Sequence, residues 1–233
     1  MLERPRFISG SNEDKDEITF IWPAKHPEDV YVTPDERQET RIAKASPKAV
    51  LGFASGCAEW IAWRFHGYGR SGPLLGLIEA MWAWQCDWRY LRIAAMLDHR
   101  EWRGPVGGPL YSAFSLLVEV MSHVDENEAE TPEVVCLVKL AEYVLPVPQP
   151  FAHWKRETVK RLARCHPRAD EEEDQGVPVP RLAIDPGFAY KPELASELVA
   201  AFVDSLDYRT NGYLRPPDSM LEKGFLGEPY ANR

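Results

Sequence analysis

The sequence predicts a mostly α, single-domain protein: an irregular bundle of about six to seven helices with an extended N-terminal segment and a C-terminal tail. Three observations carry this. Six prolines (Pro34, Pro47, Pro73, Pro109, Pro132 and Pro192) each stand at the head of a run with helical spacing, where the missing N–H had no intrahelical partner to lose. Within those runs apolar residues recur every three or four positions. Six of the eight tryptophans lie between Trp60 and Trp102, which concentrates large apolar areas, each with an N–H donor to satisfy, in two neighbouring helices and the loop after them. The chain of 233 residues, 45% hydrophobic and 27% charged, suits one substantial core. The prolines are unevenly spaced, which disfavours a repeat array.

Residues 1–32 read as an extended segment, with short strand-like pieces at Asp16–Trp22 and Asp29–Thr33. Helices follow over 35–44, 47–66, 73–99, 109–124, 132–145, 151–166 and 192–207. The first is polar. Ser46 and Thr131 are placed to cap the second and fifth. In the second, Val50, Phe53, Ala54, Cys57, Trp60 and Ile61 share one arc, with Lys48, Gly52, Glu59 and His66 opposite, the pattern of a surface helix with one buried face. In the third, Leu74, Leu77, Ile78, Met81, Trp82, Trp84, Trp88, Leu91 and Ile93 surround most of the axis. The run 132–145 is similarly apolar, and these two are the expected central pair. Residues 167–190 read as an acidic, proline-rich loop, and 208–233 as an irregular tail packed over the bundle.

No apolar run follows the charges of Met1–Arg6, so no signal peptide is expected. The stretch Leu74–Cys86 is interrupted by Glu79 and too short to span a bilayer. A soluble, cytoplasmic protein with no membrane partner is the expectation. Cys57, Cys86, Cys136 and Cys165 lie far apart, each inside a helical run, without zinc-ligand spacing. They read as buried free thiols, and no metal or cofactor is expected.

Net charge is −9, in blocks. Residues 106–150 carry −6, 151–168 carry +5 and 169–190 carry −5. Such blocks bear on partners, not on fold.

Each candidate chemistry has a structural counterpart. Arg64, Arg89 and Arg92 intrude on apolar arcs, with Arg89 and Arg92 sharing a face with Trp82, Gln85 and Trp88. They read either as a cationic, aromatic-lined pocket or as guanidinium groups stacked on indole and paired with Glu59, Glu79 or Asp87, and the second is favoured. Glu119 and His123 are one helical turn apart, which suits acid–base or metal work only with a further partner. An enzyme would place its site at Arg89, Arg92, Glu119 and His123. Gly104–Pro109 leads into a helix N-terminus but matches no phosphate-binding motif, and reads as a rigid interhelical turn. Arg156, Lys160 and Arg164 form a ladder on one helix face beside His153, with Phe151, Trp154, Leu162 and Cys165 on the core side. A nucleic-acid adaptor would use that ladder on phosphates, whereas the acidic flanks favour internal charge balance.

Two acidic stretches remain: Glu13, Asp14, Asp16 and Glu17, and Asp170, Glu171, Glu172, Glu173 and Asp174. They are either solvated surface or docking elements for a basic partner.

The block Ser46-Pro47, Cys57-Ala-Glu-Trp60-Ile-Ala-Trp63-Arg-Phe65, then Trp82-Ala-Trp84 and Trp88-Arg-Tyr90-Leu91, then Glu101-Trp102-Arg-Gly-Pro-Val-Gly-Gly-Pro-Leu110, resembles bacterial helical immunity proteins, which accompany toxins delivered between competing cells. The likeness runs from Ser46 to Glu119 and consists of helix–turn landmarks. It implies a cytoplasmic, non-catalytic inhibitor of one cognate toxin, often a nuclease with a basic cleft. The expected function is therefore an immunity-type protein, not an enzyme, whose two acidic stretches meet the effector. A homodimer is compatible with the sequence, and nucleic acid is the less favoured partner.

Overall fold

The computed structural model describes residues 2–8, 17–93, 96–126, 132–169 and 174–230. Eight α-helices and no strand occur among them: α1 (Glu36–Ile42), α2 (Pro47–Arg64), α3 (Gly72–Trp84), α4 (Gly104–Asp125), α5 (Pro132–Val144), α6 (Pro148–Cys165), α7 (Ala195–Ser205) and α8 (Pro217–Glu222). The mostly α prediction is correct. Among the described residues the strand-like pieces are not strands; Pro27–Val30 is a 3-10 turn. No described helix is long and apolar enough to cross a membrane.

The centre is α2, not the expected pair. Every residue of α2 except Lys48 and Trp63 is buried, and it packs on α3, α4, α5 and α6. Its polar arc misled the sequence reading because Glu59 and Gly52 have distant partners. Glu59 is held by Arg181, and the absent side chain of Gly52 leaves room for the Trp82 ring. At Gly56 an added Cβ would fall 2.7 Å from both Ile184 Cδ1 and Trp154 Cζ2. A side chain there would push α6 and the 181–184 turn off the hub.

The aromatic core converges on a residue outside the sequence cluster. Trp154 of α6 stacks on Phe7 and Phe53, each at 5.5 Å between ring centroids, and leans on Trp60 at 6.1 Å. Its indole N–H donates to Ile184 O at 2.8 Å. Of the clustered tryptophans, Trp60, Trp82 and Trp84 are buried, while Trp88 is 47% exposed.

Several helix ends differ from the sequence reading for local reasons. The run from Pro73 stops at Trp84, not 99. Asp87 Oδ1 accepts from the Arg89 backbone N–H at 2.8 Å, opening a 3-10 turn over Trp88–Tyr90, a side-chain bond that competes with the helical ladder. The Gly104–Pro109 stretch is not a turn but the start of α4. Gly107 backs onto the Trp102 backbone and Gly108 lies under the Trp22 indole, where no Cβ fits. α6 begins at Pro148, α7 at Ala195, and the tail contains α8. Ser46 makes no side-chain cap; its N–H donates to His166 O at 2.9 Å. Thr131 lies outside the described residues. Cys86 sits in the turn after α3, and all four cysteines are free thiols.

The tail clasps the 88–92 segment. Arg215 Nε donates to Arg89 O at 2.8 Å, and the Arg92 N–H to Tyr213 O at 2.8 Å. Tyr230 packs edge-on against Tyr90 at 5.2 Å.

Candidate functional site

The N-terminal acidic stretch joins the bundle at Glu17, whose carbonyl accepts from the Arg64 guanidinium at 3.0 Å. Arg64 is itself buried at the C-terminal end of α2 and also donates to Val144 O at 3.2 Å. It is a structural clamp, not a pocket residue. Glu13, Asp14 and Asp16 lie outside the described residues.

The second acidic stretch rejoins the bundle at Asp174. Its Oδ1 accepts from the Gly176 N–H at 2.7 Å, a tight turn that needs the positive φ of 81° at Gly176. The Gln175 side chain donates to Val124 O at 2.9 Å at the C-terminal end of α4, and the Gln175 backbone carbonyl accepts from the Lys48 N–H at 3.0 Å. Asp170, Glu171, Glu172 and Glu173 lie outside the described residues. The anchors at Arg64 and Lys48 sit near opposite ends of α2, roughly 24 Å apart along its axis.

The enzyme candidates do not converge. Arg89 pairs with Asp87 at 2.8 Å, donates to Lys223 O at 2.9 Å and lies 5.1 Å over the Trp88 ring. This is the stacked and paired arrangement. Arg92 is exposed beside the tail. Glu119 and His123 instead belong to the α4–α5 face, where His123 Nδ1 stands 3.4 Å from Glu133 Oε2 without a hydrogen bond. Partial burial, reinforced by the Glu133 charge, holds the Glu119 carboxyl above its ordinary value. No hydrogen bond or ion pair joins the two arginines to this pair. Among the described residues no three His, Cys, Asp or Glu side chains are grouped to hold a metal ion.

Buried Glu59 is held in an ion pair that spans the core. Arg181 grips Glu59 with Nε at 2.9 Å and NH2 at 2.6 Å, and the Trp82 indole adds a third donor at 3.2 Å. Sequence reasoning missed this pair because its partners are far apart in the chain. Burial pushes the Cys86 thiol up to about 12 and Cys136 up to about 11, so neither is an activated nucleophile. A surface groove of about 780 Å³ between the N-terminal residues and the 181–188 segment has Arg181 and Trp154 in its wall, both already bonded internally.

The Arg156–Lys160–Arg164 ladder is exposed along α6, with Phe151, Trp154 and Leu162 buried on the opposite side as the spacing required. Charge balance is incomplete: Arg156 at 2.9 Å and Lys160 at 3.5 Å share the single carboxylate of Glu157. Arg156 also meets His153 at 3.0 Å. Compared with protein-family models, curated proteins and solved structures, the chain matches none of them.

Proposed function

We propose that this chain is an immunity-type protein that binds and neutralises a cognate secreted bacterial toxin, a nuclease in the leading case, by surface complementarity. One observation carries the reading. The acidic stretches Glu13–Glu17 and Asp170–Asp174 meet the bundle at fixed points, Glu17 on Arg64 and Gln175 on Lys48 and Val124. Negative charge is thereby attached to a frame whose core is dense with interlocked aromatic rings. Complementary charge so placed accelerates encounter with a basic effector and rejects wrong partners. The pairing of Glu59 with Arg181 and the raised thiols add support, since they commit interior groups to holding the fold and leave recognition to the outside. In this reading the protein acts in the cytoplasm and catalyses nothing.

The test is binding of the purified chain to the product of the adjacent gene, measured by calorimetry together with protection of cells expressing that product. Two variants neutralise the acidic stretches separately, with Asn and Gln for Asp and Glu. Tight binding that weakens about ten-fold or more in either variant is the expected result. Equally tight binding by both variants overturns the acidic-surface assignment, and absence of binding overturns the function.

A further inference from the structure

A second surface of opposite sign lies between α1 and α6. It is a groove of about 530 Å³, and among the described residues its charged lining is basic: Arg41, Lys44, Lys155, Arg156 and Lys160. The placement follows from helix geometry. Ala152, Lys155, Arg156, Val159, Lys160 and Ala163 fall at three- and four-residue steps, so they share one stripe of α6, adjacent to the core stripe of Phe151, Trp154, Thr158 and Leu162. Across the groove, Gln38, Arg41 and Ile42 form the corresponding stripe of α1, continued by Lys44.

These cations are only partly neutralised. Lys155 is bound to Glu142 at 2.6 Å and to Gln38 Oε1 at 3.3 Å. Arg156 and Lys160 share Glu157. Arg41 and Lys44 have no ion pair among the described residues, and the Gln38 amide nitrogen has no hydrogen-bond partner. On a chain of net charge −9, five clustered cations with no carboxylate among the described lining residues are a local inversion of the global field.

The rest of the lining selects the occupant. Ala152, Val159 and Ala163 make an aliphatic seam about 16 Å long on the α6 side, with the buried Ile42 of α1 behind the opposite wall. No aromatic ring is among the described residues that line the groove, so these residues offer single-stranded nucleic acid no stacking platform. A long polyanion would also meet the repulsion of the whole chain. We infer that this groove docks an acidic amphipathic helix of a partner protein, its apolar residues on the α6 seam and its carboxylates between Arg41 and Lys44 on one side and Arg156 and Lys160 on the other. Helix-in-groove recognition uses this division between apolar anchors and flanking charge. The inference stands independently of the toxin reading, which concerns the acidic stretches.

The experiment selects displayed random peptides of about twelve residues, matching the helical length of the groove, on the full chain. Synthetic versions of the enriched peptides are then measured against wild type, Arg41→Glu/Lys160→Glu and Val159→Asp. Arg41 and Lys160 are exposed, so the double variant should keep the wild-type melting temperature. Lys44→Glu serves as a further variant if it does not. The expected result is enrichment of Asp and Glu with Leu, Ile or Phe at three- and four-residue steps, and affinity weakened about ten-fold or more by the charge reversals and by Val159→Asp. Absence of enrichment, peptides that bind all variants equally, or a twelve-nucleotide single-stranded DNA that displaces the peptide at lower concentration than unlabelled peptide would each overturn it.

Discussion

Glu59 and Arg181, separated by 122 positions in the chain, form a two-point ion pair at 2.9 and 2.6 Å in which the carboxylate has no solvent exposure. The pair fastens the 181–184 turn to the middle of α2. Removing one member strands a buried charge, so Arg181→Met should destabilise the protein by about 3–5 kcal/mol. The double variant Glu59→Met/Arg181→Met should recover much of that loss, but not all, because the Trp82 N–H loses its acceptor. Urea unfolding of Arg181→Met, Glu59→Met and the double variant measures both effects, and an additive double variant contradicts the assignment.

Gly56 tests how closely α6 and the 181–184 turn approach α2. Gly56→Ala puts a methyl 2.7 Å from Ile184 and from Trp154, and overpacking of this kind costs about 1–3 kcal/mol. Gly72→Ala, with nothing within 4 Å of the new Cβ, should change stability by less than about 0.5 kcal/mol. Denaturant midpoints for the two variants separate local crowding from a general intolerance of alanine.

His166 gives the fold a pH dependence of definite sign. Burial lowers its pKa below the ordinary 6.5, and its Nε2 lies 2.7 Å from the Tyr190 hydroxyl. The unfolded chain therefore binds the proton more readily than the folded one. Its contribution to stability is complete above the unfolded value and is lost as pH falls through about 6.5 toward the depressed folded value. Melting temperature should drop on acidification across that window, and the drop should shrink in His166→Gln, which keeps a polar side chain beside Tyr190.

The thiols should report burial directly. Cys57 is fully buried and its thiol is raised far above the ordinary value by that burial; Cys86 and Cys136 are raised for the same first reason. At pH 8 a thiol reagent should modify fully buried Cys57 far more slowly in the folded protein than in denaturant, and Cys86 and Cys136 more slowly as well. Cys57→Ser should remove the slowest phase, and persistence of that phase would contradict the placement.

What the sequence revealed was mainly local. Pro47 and Pro132 mark true helix starts, because the effect of proline at a first turn needs no tertiary context. The same residues misled where several came together. The sequence places helix starts at Pro109 and Phe151, yet α4 begins at Gly104 and α6 at Pro148, each taking further prolines into its first turns. The central role of α2 was hidden because Glu59 looks like a solvent-facing residue until Arg181 is placed beside it. Arg156 and Lys160 were recognisable as a ladder from spacing alone. Arg41 and Lys44 were not, since only the packing of α1 on α6 sets them across the groove.

If the acidic stretches dock a basic effector as proposed, their two fixing points, near opposite ends of α2, would act as a ruler. A globular body wide enough to reach both would make its second contact at the high effective concentration set by the first, so two modest attractions would multiply into strong avidity. A narrower body, however basic, would gain one contact only. Discrimination between partners could then rest on breadth as much as on charge.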